Sequence, residues 1–130
     1  MGLDLIIQPL RRRESITASR ILTSDSLMFA GDYRIFGQIA DVHGKSKFPE
    51  GGLEIVVHPL VLPKKTKVGL YEDEGLTFTS TDKYGDKLTY ALAQEMRKLK
   101  LTEDTSPRNK AILSYINALS GDTPIILQWC

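Results

Sequence analysis

Short apolar runs with the two-residue period of β-strands dominate the first two thirds of the chain. Leu3–Gln8 is rich in β-branched and apolar residues and stops at Pro9, and Leu53–His58 has apolar residues at alternate positions. Both segments are typical of strands. Leu27–Phe29 predicts a further short strand. Tyr33–Ala40 alternates imperfectly and favours a strand, with a short helix as the competing interpretation.

The clearest hairpin pattern joins Lys67–Glu72 to Leu76–Thr81. Gly75 lies between the two arms, and we expect it to adopt a positive φ as the turn residue after Asp73 and Glu74. This turn predicts that Val68 and Leu70 face Leu76 and Phe78. Residues 41–52 contain three glycines and a proline, which predicts a long exposed loop.

Two helices are predicted in the last third of the chain. The first spans residues 86–100, is capped by Asp86, and has an apolar stripe at helical spacing, made of Leu88, Ala91, Leu92, Met96 and Leu99. The second begins at the cap Ser106 with Pro107 in its first turn, and ends before Gly121. Its predicted core positions are Ala111, Ile112, Tyr115, Ile116 and Leu119. Pro124–Trp129 predicts a closing strand.

This order of elements predicts one α+β domain over residues 1–130. We expect a mostly antiparallel sheet, with two C-terminal helices packed on one face and a closing C-terminal strand. The pattern leaves open whether residues 10–32 form helix or strand.

Composition narrows the class of protein. Of the 130 residues, 42% are apolar and 25% charged, which is typical of a globular chain. Lys and Arg total 17 against 16 Asp and Glu, so the net charge is +1, and the basic excess of a nucleic-acid binder is missing. Cys130 is the only cysteine, so no intrachain disulfide can form. With no long apolar run, we expect a cytoplasmic protein with no membrane association.

Asp41-Val42-His43-Gly44 resembles the first motif of metallophosphoesterases, in which Asp-x-His supplies two ligands to a metal pair. A dinuclear site needs further carboxylate, Asn and His ligands. The chain has only two histidines, His43 and His58, and lacks the later motifs. We therefore expect no metal and no cofactor, and we keep Asp41 and His43 only as candidate binding residues.

Arginines form the densest basic cluster. Guanidinium groups bind phosphates and carboxylates bidentately, so this cluster is the candidate anion site. Its members are Arg11, Arg12, Arg13, Arg20 and Arg34, with Lys64, Lys65 and Lys67 as a second basic group. The alternative is that these basic side chains form a solvent-exposed surface that only keeps the protein soluble. We take Arg11, Arg12, Arg13 and Arg34 as the candidate binding residues.

Three fragments resemble small uncharacterised proteins of tailed bacteriophages and prophages. They are Met1-Gly2-Leu3-Asp4, Tyr84-Gly85-x-x-Leu88-Thr89-Tyr90, and Asp122-Thr123-Pro124-Ile125-Ile126-Leu127-x-Trp129. The resemblance covers about a third of the chain. It implies a phage accessory protein working in bacterial cytoplasm, and it brings no activity that can be assigned to residues here.

No nucleophile elbow, phosphate-binding glycine loop or Cys-x-x-Cys pair is present, so catalysis is the less favoured function. We expect a non-enzymatic binding protein, forming a homo-oligomer, that captures a host protein or a small anionic ligand such as a nucleotide. One alternative is a small hydrolase or transferase acting on a phosphorylated substrate. The other is a structural or assembly protein of a phage particle.

Overall fold

The fold is described by a computed structural model that covers residues 3–11, 14–23 and 25–130. Its strands are β1 Leu5–Pro9, β2 Arg20–Ile21, β3 Leu27–Phe29, β4 Leu60–Val61, β5 Lys67–Glu72, β6 Gly75–Thr79, β7 Thr89–Leu92 and β8 Pro124–Trp129. Its helices are α1 Tyr33–Phe36, α2 Ala93–Met96 and α3 Pro107–Ala118, with a 3-10 turn at Pro49–Gly51. Within these described residues, no helix has the length and apolar character needed to cross a bilayer.

The strands form two sheets. The larger has five strands in the order β3-β1-β8-β7-β4, and every neighbouring pair is antiparallel. The smaller has the order β2-β5-β6, in which β2 runs parallel to β5 and β5 antiparallel to β6. The predicted class, an α+β protein with a mostly antiparallel sheet, is confirmed. Residues 10–32, left open by the pattern, contribute the short strands β2 and β3.

The central strands of the five-stranded sheet are buried on both faces. On one face, alternate residues of β1 and β8 pack against the helices, and this cluster includes Leu5, Ile7, Phe36, Ile116 and Trp129. On the other face, Ile126 packs with Ile21 and Val68 of the smaller sheet. The larger sheet is therefore the middle layer between the helices and the β2-β5-β6 sheet.

Two buried glutamines tie the two sheets together. The Gln128 side-chain amide donates to Gln8 Oε1. Gln8 Nε2 in turn donates to the Gly69 carbonyl at 3.0 Å and to Thr23 Oγ1 at 3.2 Å. Because both glutamines are at most 4% exposed, these bonds satisfy polar groups that would otherwise destabilise the layer.

The predicted helix over residues 86–100 is wrong in its first half. Thr89–Leu92 is strand β7, which pairs with β8 from Thr89↔Leu127 to Leu92↔Pro124, and only Ala93–Met96 is helical. The physical reason is burial on both faces of a sheet. Leu88 belongs to the cluster facing the smaller sheet and Ala91 to the cluster facing the helices, so apolar residues occur at neighbouring positions and imitate a helical stripe.

Two more strand predictions are wrong. Tyr33–Phe36 is the short helix α1, capped by Asp32 Oδ1, which accepts from the Ile35 N–H at 3.1 Å. Leu53–His58 forms no strand; only Val57 bridges to Ile39, and the Gln38 carbonyl accepts from both Val56 and Val57 N–H groups. The two segments contact each other only at this single parallel bridge, so neither extends into a paired strand.

Other predictions are confirmed. The strands at Leu27–Phe29 and Pro124–Trp129 are present, and Ser106 Oγ accepts from the Asn109 N–H at 3.1 Å as the cap of α3. Gly75 has φ +114°. Within α3, Ile112 and Ile116 are buried as expected, while Leu113 is buried in place of the exposed Ala111.

The predicted facing of the hairpin side chains is wrong. Glu72 pairs directly with Gly75, so the turn contains two residues rather than three. This one-residue difference reverses the faces of β6 relative to β5. Val68 lies opposite Thr79, and Tyr71 lies opposite Leu76.

Candidate functional site

The Asp41-Val42-His43-Gly44 motif forms a tight loop, here called the first Asp loop (residues 40–46). Asp41 Oδ1 accepts backbone N–H groups from His43 at 2.8 Å and Lys45 at 3.0 Å. Gly44 has φ +78°, and Ala40 bridges to Ser46 across the loop base. The carboxylate therefore organises its own turn, and His43 is exposed to solvent.

A second loop repeats this geometry over residues 81–87, here called the second Asp loop. Asp82 Oδ1 accepts N–H groups from Tyr84 at 2.8 Å and Asp86 at 3.1 Å. Gly85 has φ +84°, and Thr81 bridges to Lys87. The two loops share the pattern Asp-x-x-Gly because one Asp oxygen and one left-handed glycine suffice to close a turn of this size.

The two Asp loops meet at a cavity of about 30 Å³, which also touches Lys47 and Trp129. Lys47 Nζ lies 3.7 Å from Asp86 Oδ2 and 5.4 Å from the centre of the Trp129 ring. Burial raises the pKa of the Asp82 carboxyl above its usual value, and the two N–H groups bound to it oppose that rise. A volume of this size corresponds to about one water molecule, so the cavity cannot hold an organic ligand.

The loops do not assemble a metal centre. Across residues 3–11, 14–23 and 25–130, no group of three or more His, Cys, Asp or Glu side chains is placed to hold an ion. Asp41 and His43 line one cavity together. What they form there is a hydrogen-bonded turn beside a lysine that is already ion-paired.

The candidate arginines are not brought together where they are described. Arg11 lines a surface cavity together with Glu14 and Asp122, beyond the end of β1. Arg34 lies near the start of β1, where Tyr33 Oη accepts from the Leu3 N–H, and its Nε is 3.9 Å from Asp104 Oδ2. The five residues of β1 span roughly 17 Å between these two places. Arg12 and Arg13 lie outside the described residues.

The smaller sheet presents an apolar surface that the sequence pattern did not predict. Because Val68 of β5 is fully buried, the alternate residues of the hairpin point away from the core. We call this surface the outer face; it consists of Leu22, Tyr71, Leu76 and Phe78, together with Arg20 and Lys67. Tyr71 is 78% exposed, Leu76 39% and Leu22 36%.

The outer face is built around Gly69, which lies opposite Phe78 in the hairpin. A Cβ atom on Gly69 would lie 3.0 Å from Leu22 Cδ2, 3.1 Å from Leu76 Cδ1 and 3.3 Å from Phe78 Cε1. The missing side chain therefore lets these three residues close over the backbone. The result is a contiguous apolar patch in place of scattered exposed residues.

One end of the outer face is basic. Arg20 and Lys67 are partners in the β2–β5 pairing, and the Arg20 guanidinium lies 4.9 Å from the centre of the Phe78 ring. Lys64 and Lys65 form the exposed turn just before β5. None of the ion pairs between described side chains includes these four cations. Arg20 therefore lies with Lys64, Lys65 and Lys67, and not with Arg11 or Arg34.

The length of the hairpin turn is the sequence feature from which the outer face could have been predicted. A two-residue turn at Asp73 and Glu74 places Tyr71, Leu76 and Phe78 on one face from the sequence alone. The position of Leu22 depends on the parallel pairing of the two-residue strand β2, for which no local pattern exists.

Comparison of the chain with known proteins identifies no relative. No family model, no curated protein and no solved structure matches the chain.

Proposed function

We propose that this chain is a non-enzymatic binding protein that docks a partner protein on the outer face of its smaller sheet. The observation that supports this proposal is the contiguous patch of Leu22, Tyr71, Leu76 and Phe78, which the described residues leave partly exposed on a small domain. Contiguous apolar patches rimmed by polar residues mark protein interaction sites, whereas single exposed apolar residues need no explanation. Tyr and Arg are also the residues enriched at the energetic centres of such sites.

The charge at the rim defines the chemistry of the partner. Arg20 and Lys67 flank the apolar patch, and Lys64 and Lys65 extend the positive charge along the adjoining turn. A partner surface with apolar side chains beside carboxylates complements this arrangement. The cations would steer its approach, and the apolar patch would supply most of the affinity.

A protein partner fits this surface better than a single-stranded nucleic acid. Nucleic-acid platforms stack successive bases on exposed rings. Here only Tyr71 presents a free ring, because Arg20 already covers the half-buried ring of Phe78. The net charge of +1 also provides little of the phosphate attraction on which such proteins depend.

The catalytic alternative has less support. It would use Asp41 and His43, but Asp41 Oδ1 is engaged by two N–H groups of its own loop, and the adjoining cavity of about 30 Å³ does not admit a phosphorylated substrate. The resemblance to phage proteins suggests a bacterial host protein as the docked partner. That identity is part of the proposal.

A fluorescence titration with 1-anilinonaphthalene-8-sulfonate, an aromatic anion, tests whether the outer face is an accessible apolar and cationic surface. We expect saturable binding to the native protein that weakens in Leu76→Ser and Tyr71→Ser. Leu101→Ser is the matched control, because Leu101 is 53% exposed and lies outside the outer face. Equal binding by all variants would contradict the proposal. Binding of a single-stranded oligonucleotide that is lost in Tyr71→Ser would favour a nucleic-acid platform instead.

A further inference from the structure

One edge of strand β6 pairs with no other strand of the described residues. This strand is the last in the order β2-β5-β6. Because the pair Glu72↔Gly75 closes the hairpin, the backbone groups of Gly75 and of every second residue after it form hydrogen bonds with β5. The backbone N–H and C=O groups of the intervening residues, Leu76 and Phe78, therefore point away from β5. Among the described residues these groups have no partner. The free row ends at Phe78, because the Ser80 carbonyl on the same side accepts the Leu88 N–H at 3.2 Å.

The other sheet edges are shorter or blocked. Strand β4 has only two residues and lies between Pro59 and Pro63, while β2 has two residues and β3 has three. Natural proteins prevent unwanted pairing by such means, and also by placing charges on edge strands. Strand β6 has five residues, Gly-Leu-Thr-Phe-Thr, with neither a proline nor a charge. Its edge lacks the features that discourage pairing.

Charges at the two ends of β6 are opposite in sign. The exposed turn residues Asp73 and Glu74 precede the strand. At its other end lie Lys67, next to the Val68↔Thr79 pair, and the exposed Lys83 and Lys87 of the second Asp loop. The two carboxylates of that loop are engaged within the same copy, since Asp82 is buried and binds two N–H groups and Asp86 is ion-paired with Lys47. The strand therefore carries a self-complementary pattern, acidic at the start and basic at the end.

We propose that β6 pairs antiparallel with β6 of a second copy of this chain, about a two-fold axis perpendicular to the sheet. In this orientation the acidic turn of each copy lies against the basic end of the other, whereas parallel pairing would oppose like charges. The symmetry makes the contact isologous, so the assembly closes as a dimer. Two three-stranded sheets become one six-stranded sheet, with both outer faces on the same side. This inference goes beyond the proposed partner docking and does not depend on it.

Sedimentation equilibrium over micromolar to millimolar concentrations tests the dimer with charge reversals outside the outer face. Glu74→Lys alone and Lys87→Glu alone should each weaken dimerisation by at least about threefold at low salt. The double variant should recover the affinity of the unmodified protein. Thermal unfolding of each variant confirms that the fold is retained.

Two outcomes would overturn the dimer: an unmodified protein that sediments as a monomer at every concentration, or a double variant no tighter than the single ones. Neither outcome affects the anionic-probe titration, because Glu74 and Lys87 lie outside the outer face. Sedimentation equilibrium therefore tests the dimer, the fluorescence titration tests the docking surface, and either proposal can fail without the other.

Discussion

Gln38 and Lys100, separated by 62 positions in the chain, are joined by two hydrogen bonds between the side-chain amide of one and the backbone of the other. The Lys100 N–H donates to Gln38 Oε1 at 2.7 Å, and Gln38 Nε2 donates to the Lys100 carbonyl at 2.9 Å. The glutamine is fully buried and thus acts like a strand partner for the segment after α2. It fixes the position of that segment against the loop that follows α1.

Replacing this amide should destabilise the domain strongly. Gln38→Leu is expected to lower the free energy of unfolding by about 2–3 kcal/mol, because the Lys100 N–H and C=O lose their partners in a partly buried site. Urea unfolding measures the change. Gln94→Leu, at an exposed glutamine, should stay within about 0.5 kcal/mol of the unmodified protein. Equal stabilities for the two variants would show that the Gln38 pairing contributes nothing.

The hairpin turn depends on the backbone of Gly75. Its φ of +114° is a conformation that residues with a side chain rarely adopt, although no atom lies within 4 Å of the place that a Cβ atom would occupy. Gly75→Val should therefore cost about 1–3 kcal/mol through backbone strain alone. Glu74→Ala in the same turn should cost less than about 0.5 kcal/mol. Thermal unfolding that ranks these variants in the opposite order would contradict the two-residue turn.

The second Asp loop should give the domain a specific pH dependence. Burial raises the pKa of Asp82 above its usual 3.8, so the folded state binds the proton more tightly than the unfolded state. The stabilising contribution of this carboxyl is complete below the unfolded pKa, and is lost as pH rises through the folded pKa. At neutral pH the folded state is therefore less stable with the ionised Asp82 carboxylate than it would be with the protonated carboxyl.

Asp82→Asn removes that charge while keeping an oxygen for the Tyr84 and Asp86 N–H groups. The variant should be at least as stable as the unmodified protein at neutral pH, and its advantage should shrink as pH falls toward 3.8. Urea unfolding at several pH values measures the difference. Asp41→Asn in the first Asp loop controls for the general effect of this substitution. An advantage that grows in acid would mean that the sign is wrong.

The arginines should contribute unequally to binding. Arg20→Ala should weaken binding of the aromatic anion by about three- to tenfold, because its guanidinium lies over Phe78 at the edge of the apolar patch. Arg11→Ala and Arg34→Ala alter positions in other parts of the surface, so their affinities should stay within about twofold. The same fluorescence titration measures all three variants. A larger loss in Arg34→Ala than in Arg20→Ala would favour a binding site around Arg34 instead.

The sequence predicts well those elements whose boundaries carry a local signal. Ser106 with Pro107 specifies the start of α3, and Pro124 precedes a short apolar run that is too brief for a helix. Thr89–Leu92 is mistaken for helix because a strand buried on both faces offers the same apolar spacing as a helix. Strands β2 and β4, each two residues long, are defined by their partners and leave no local pattern.

The candidate site is predictable only in part. The shared cavity of Asp41 and His43 follows from their proximity in the chain, but the matching second Asp loop lies 41 positions later and approaches through tertiary structure. The sequence does not predict the outer face, because the expected turn is one residue too long. That difference exchanges the side chains on the two faces of β6. Its basic rim joins Arg20 to Lys67 through a parallel pairing that no spacing rule indicates.

Photo-crosslinking from one residue of the outer face tests the docking claim most directly. Benzoylphenylalanine would replace Tyr71, which is 78% exposed on the outer face, or Tyr84, which is 55% exposed in the second Asp loop. After irradiation in a bacterial lysate, we predict a discrete adduct with one other protein at position 71, absent at position 84. That adduct should diminish when Leu76→Ser is added or salt is raised. Equal labelling from both positions, or adducts from position 71 that contain only a second copy of this chain, would contradict the docking of another protein on the outer face.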